Sequence, residues 1–127
     1  MTSKRNASES EKAIKKCRNK CVICEWERYD LEDRPLVEGA HIKQFSGNQE
    51  DDKCSNIIAL CPNHHVEFDR LCYYIETKTH ELHHYDVSWE YEGVPIQIDY
   101  VNDAYLAYRK YKVLEYWKNF SGEDREE

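Results

Sequence analysis

The sequence has no apolar run near the eighteen or so residues that a membrane-spanning helix takes. Its start, Met1-Thr2-Ser3-Lys4-Arg5, also lacks the apolar stretch of a signal peptide. The expectation is a cytoplasmic protein with no membrane partner. Internal repeats and low-complexity tracts are absent as well. Positive charge is scarce: the net charge is −7, and residues 1 to 20 hold seven Lys/Arg against two Glu, which leaves the remainder strongly acidic. Binding to a polyanion rests on neutralising phosphates, so only this basic arm reads as a phosphate-binding element. Otherwise the average hides a local basic face, or a partner or second subunit delivers the substrate.

At 127 residues the chain is long enough for one compact core, helped by a metal staple, and too short for two. Ten Tyr and three Trp supply apolar area through a few large side chains. Six Cys are present, but two ligand-type pairs, Cys21-Val-Ile-Cys24 and Cys61-Pro-Asn-His64, argue for reduced, metal-bound thiolates rather than disulfides. Zn²⁺ takes four tetrahedral S/N ligands, and each pair can span one edge of that tetrahedron from a tight turn. The 36 residues between the pairs are far more than the roughly 12 of a C₂H₂ finger. They suit a knuckle, a β-hairpin and a helix whose first turn gives the last ligands. A structural zinc on Cys21, Cys24, Cys61 and His64 is expected, with Cys17, Cys54 and Cys72 as possible replacements.

Organisation along the chain is simple. Residues 1 to 8 read as a polar end, Ser8 to Lys20 as a helix with a capped start, and Asp30 to Arg34 as a charged loop. Leu36 to Ile42 and Ile57 to Leu60 read as two strands of a hairpin, joined through an exposed turn-rich loop at Ser46 to Asp52. Pro62 suits the first turn of a helix, which runs to Asp69. Beyond it, Cys72 to Glu76 and Glu81 to Asp86 read as strands, and Val87 to Tyr91 with Val94 to Ile98 as a second β pair. The helix expected over Asn102 to Phe120 has Leu106, Val113, Trp117 and Phe120 along one side, with a dimer or partner surface as one use of its aromatics. Residues 122 to 127 form an acidic tail.

Taken together, Cys21-x₂-Cys24, Ala40-His41-Ile42, the run Asn56 to His65 and Phe68-Asp69 resemble the zinc-containing HNH endonucleases of the ββα-metal (His-Me finger) superfamily. The resemblance covers about fifty residues, and its force lies in joint spacing: Asn56 falls fifteen residues after His41, and His65 nine after Asn56. It implies an α+β fold. A small ββα-metal nuclease core with a structural zinc knuckle (21–70) would be flanked by the N-terminal helical arm (1–20). A C-terminal β-hairpin region and aromatic helix (71–121) would follow. The implied activity is hydrolysis of DNA phosphodiester bonds, with double-stranded DNA as partner and a homodimer or larger complex as one assembly.

The resemblance also assigns roles. His41 would be the general base, since a neutral imidazole can take a proton from water near neutral pH. Its place at a strand end before a polar loop suggests an exposed side chain. Asn56 either pins the loop or ligates the catalytic cation, because an amide offers both an acceptor and two donors. His65 and Asp69, one helical turn apart, would hold the catalytic Mg²⁺ or Mn²⁺ together. The chain departs from the commoner pattern at Ala40, where many members carry a metal ligand. Glu38 is a weaker substitute because it shares a strand face with Ala40 and not with His41. The alternative reading is a catalytically inactive zinc-binding module that docks nucleic acid or protein. A zinc nucleoside deaminase is excluded, because His41 is followed by Ile42 and Lys43 instead of the H-x-E element. The His80, His83 and His84 group reads as exposed hairpin histidines.

Overall fold

The computed structural model describes residues 7–44 and 49–121. The polar start, part of the Ser46 to Asp52 loop and the acidic tail lie outside these residues. The first helix, α1 (Ala7–Lys16), ends earlier than its composition suggests. Arg18 and Asn19 both take positive φ, and the Asn19 N–H returns to the Ile14 carbonyl at 2.9 Å, closing the last turn. The chain then forms the knuckle and meets β1 (Glu38–His41), which pairs antiparallel with β2 (Ile57–Leu60) in the register Glu38–Leu60, Ala40–Ile58, His41–Ile57.

Strand alternation puts Gly39 and His41 on one face of β1, Glu38 and Ala40 on the other. α1 covers the Gly39 face. A Cβ at Gly39 would come within 2.9 Å of Ser10 Oγ, so only glycine lets the helix approach this closely. The opposite face carries α2 (Pro62–Asp69), which begins at Cys61 with Pro62 in its first turn, where a missing N–H costs nothing. β2 is buried along its whole length, as expected of a strand covered on both faces.

The core continues through Phe68, Tyr73, Ile75, Leu82, Ile98 and Leu106. β3 (Tyr73–Ile75) and β4 (Leu82–His84) form the second hairpin. The further β pair expected at Val87 to Tyr91 and Val94 to Ile98 is not formed. Trp89 N–H to Asp86 O and Val94 N–H to Tyr91 O are local bonds, and the 93–96 stretch lies instead against the start of β4, through Gly93 N–H to Leu82 O, Leu82 N–H to Val94 O, Ile96 N–H to His80 O and an isolated Glu81–Pro95 bridge. Gly93, at φ 78°, turns that segment back.

The last helix, α3 (Asp103–Ser121), buries Leu106, Arg109 and Val113. Phe120, expected on the same side, is 73% exposed and packs edge-on against Tyr116 instead. A charged residue takes the core position between Leu106 and Val113. The Arg109 guanidinium donates to the carbonyls of Phe68 and Tyr73 and lies 3.4 Å from the centre of the Phe68 ring. Trp117 Nε1–H adds a bond to the Leu71 carbonyl at 2.8 Å. Together these donors satisfy the frayed end of α2 and the turn after it. None of the helices among the described residues is long and apolar enough to cross a membrane.

Candidate active site and metal centre

The knuckle is shaped by its own backbone. Cys21 N–H bonds the Trp26 carbonyl, Glu25 N–H bonds the Cys21 carbonyl with Glu25 at φ 65°, and Val22 N–H ties the loop to Ala59 on β2. Cys61 and His64 face it from the start of α2. The four ligand atoms of Cys21, Cys24, Cys61 and His64 lie within 4.8 Å of one another, the one such Cys/His/carboxylate group found among the described residues. Three of their separations are 3.7 Å (Cys21 Sγ to His64 Nδ1), 3.4 Å (Cys61 Sγ to His64 Nδ1) and 3.9 Å (Cys24 Sγ to Cys61 Sγ). A tetrahedron with Zn–S near 2.3 Å and Zn–N near 2.0 Å has edges of roughly 3.5–3.8 Å. The residues therefore fit a zinc ion.

Electrostatics point the same way. Burial raises the Cys21 thiol, but the hydrogen bond with His64 and backbone donors at Cys24, Cys61 and Ile23 outweigh it and hold the group at about 6. Cys24 is pushed up to about 12 by burial and by the neighbouring Cys21 and Cys61 thiolates. Such crowding of like charge is relieved by a cation at the centre. His64 is fixed further by Trp89 and Tyr91, whose rings meet it edge-on, and by Tyr73 Oη–H donating to its carbonyl at 2.8 Å. Cys17 is engaged elsewhere, 3.2 Å from Tyr100 Oη, so the quartet stands without it.

The second cluster sits at the other end of the hairpin. His41 Nε2 lies 2.9 Å from Asp52 Oδ1, with their side chains 7% and 1% exposed. His41 is thus enclosed, not open as its place before a polar loop suggests, because the returning segment folds over the strand end. Asp51 and Asp52 are buried for the same reason, against the expectation of an exposed loop. Asn56 is fully buried and holds that segment by three bonds. Its oxygen accepts from Lys43 N–H at 2.8 Å, and its amide donates to Lys43 O at 3.0 Å and to Asp51 O at 2.8 Å. Of the two roles open to Asn56, this geometry is that of a pin.

His65 belongs to a third group, on the α2 face of β1. Its Nδ1 is 2.7 Å from Glu38 Oε1 and its Nε2 is 3.3 Å from Asp69 Oδ2. The i, i+4 pairing on α2 is as expected, and Glu38 reaches it from the strand. The two carboxylates meet opposite ring nitrogens, so a Mg²⁺- or Mn²⁺-class cation could be shared by His65 Nε2 and Asp69, with Glu38 left to orient the ring through Nδ1. Asn56, spent on the backbone, is not brought into that group.

Residues 21–76 match the family model described as HNH endonuclease. This segment is an HNH endonuclease domain. Among solved structures, a chain described as modification dependent TagI restriction endonuclease shares the HNH fold seen here, with a TM-score of 0.70 at 24% identity. The similarity covers 87% of this chain and 39% of that one, so the present chain spans well under half of that protein's length. None of the curated proteins compared matches.

Two partners of these groups escape a reading of spacing alone. Asp52 is one, because in sequence it is merely part of an acidic turn; its distance of eleven residues from His41 carries no periodic signal. Arg109 is the other. It lies outside the matched segment, yet it bonds the carbonyls at the foot of the HNH helix.

Proposed function

We propose that this chain is a metal-dependent endonuclease that hydrolyses DNA phosphodiester bonds, with His41 as general base. The observation that carries the reading is the His41–Asp52 pair inside an HNH domain. In this reading the Asp52 carboxylate orients the His41 ring through Nε2 and stabilises the imidazolium that forms when a proton is taken from water. Asn56 keeps the loop that carries Asp52 closed against the strand that carries His41. His65, through Nε2, and Asp69 would hold the catalytic divalent ion, with Glu38 orienting the imidazole from its other nitrogen. When bound, that ion neutralises charge on the phosphate and stabilises the departing 3′-oxygen. Ala40 supplies no ligand; it is fully buried among apolar side chains, and Glu38 of the same strand meets His65 at Nδ1.

The quartet of Cys21, Cys24, Cys61 and His64 would hold a structural zinc that takes no part in cleavage. α2 then serves both sites, with His64 turned to the knuckle and His65 to Glu38, as side chains about 100° apart on a helix require. The similarity to a restriction endonuclease supports DNA as substrate and a cytoplasmic setting. The test is digestion of supercoiled plasmid by the purified chain with Mg²⁺ or Mn²⁺. Divalent-dependent nicking lost in His41→Ala, at unchanged zinc content, is the expected result. Retained nicking in that variant overturns the assignment of the base, and no nicking by the wild-type chain with DNA binding intact favours an inactive docking module.

A further inference from the structure

A chain of net charge −7 that works on DNA needs its cations concentrated beside the reacting strand. One such concentration lies two residues beyond His41. The Lys43 backbone is held on both sides by the Asn56 amide, so the departure point of its side chain is fixed relative to the catalytic strand. Its ammonium group, 3.5 Å from Asp51 Oδ2, lies 4.9 Å from the centre of the Tyr108 ring on α3. Lys112, one helical turn along α3, lies 5.9 Å from the centre of the same ring. Two ammonium groups thus lie within about 6 Å of the centre of one aromatic ring, which attracts both. Tyr108 is 42% exposed, and Lys112 is exposed with no ion pair to a described residue, so the group is open to a ligand.

We propose that Lys43 and Lys112, bracketing Tyr108, form a phosphate-contact ridge that holds the backbone of double-stranded DNA beside His41. The proposal rests on the nuclease reading for its choice of ligand. Asp51 orients Lys43 in the free protein, and a phosphate replaces it as the counter-charge in the complex. The ridge joins α3 to the hairpin, giving the C-terminal helix a part in substrate binding. The exposed Lys78, in the turn between β3 and β4, belongs to no such group and serves as the control.

The test is binding of a short fluorescent duplex by anisotropy over a range of salt, in buffer without added divalent ion so that no strand is cut. Lys43→Gln and Lys112→Gln should each reduce the slope of log K against log salt by about one and raise Kd roughly eight-fold at 0.1 M salt. Lys78→Gln should change neither, and thermal melts should show all three variants folded. Unchanged slopes in Lys43→Gln and Lys112→Gln, or an equal fall in Lys78→Gln, would overturn the ridge. Plasmid nicking with Mg²⁺ or Mn²⁺ separates the two readings. Reduced slopes without any nicking leave the ridge standing and remove the nuclease, whereas nicking with unchanged slopes does the reverse.

Discussion

His41 and Asp52, 2.9 Å apart and almost shut off from water, form a histidine–carboxylate pair across a folded-back loop. The carboxylate holds the orientation of the imidazole that is proposed as the base. Asp52→Asn keeps the shape and removes the charge. Its nicking rate should fall by about 10²- to 10⁴-fold, judged from the effect of losing the carboxylate in other His-based sites. Zinc content and melting temperature should stay close to wild type. A rate within twofold of wild type would show that the pair has no part in the reaction.

Asn56→Ala removes three buried hydrogen bonds to Lys43 and Asp51 and leaves their backbone groups without partners. A loss of about 2–4 kcal/mol in urea unfolding is expected, since each buried group left unsatisfied costs about 1–3 kcal/mol and part of the loop relaxes. Asn56→Asp keeps the acceptor and loses the donors, so it should fall between. Equal stability of all three chains would mean the loop is held by something else.

The zinc quartet makes a prediction by subtraction. Cys24→Ser should lower bound zinc well below the one ion per chain expected of a four-ligand site and broaden or abolish the cooperative melt, because a metal that closes a long loop contributes folding free energy directly. Elemental analysis and calorimetry read the two effects. Cys17→Ser, Cys54→Ser and Cys72→Ser should leave zinc content intact; loss of zinc in one of them would move that residue into the ligand set.

Acid should loosen the loop that carries Asp52 before it unfolds the chain. The Glu9 carboxylate is held below its ordinary 4.5 first by the Cys54 backbone N–H, at 2.7 Å, and then by Lys12. A carboxyl group with a depressed value stabilises the folded form fully above pH 4.5, and that contribution is lost as pH falls through the lower folded value. Below 4.5, amide exchange at Cys54 should therefore rise faster in wild type than in Glu9→Ala, where it is already raised. Parallel curves for the two chains would show that Glu9 does not hold the loop.

Much of this was legible from residue order, and the parts that were not have physical reasons. β2 and α2 match their expected bounds because Ile57 to Leu60 is an unbroken apolar run, closed by Asn56 on one side and Cys61-Pro62 on the other. The quartet was legible because C-x₂-C and C-x₂-H spacing reflects the bite of one metal. Asp52 and Arg109 were not. A carboxylate in a turn and an arginine in a helix read as solvent-facing by default, and only tertiary packing turned one onto an imidazole and the other under α2. Val87 to Ile98 misled for a different reason: its alternating apolar residues suit a strand pair, but the 93–96 half bonds to the start of β4 instead of to 87–91, and Pro95 has no N–H with which to extend a ladder.

Arg109 and Trp117 bear on how this unit can be cut and moved. The family-matched segment ends at residue 76, yet the carbonyls of Phe68, Leu71 and Tyr73 inside it draw their donors from α3. A fragment trimmed to residues 21–76 would keep the backbone bonds of Arg70 and Leu71 to that helix end but lose the side-chain donors of α3 and uncover the Phe68 ring. For anyone grafting this unit onto another module, the natural junction lies beyond α3. The smallest portable piece is close to the whole chain described here.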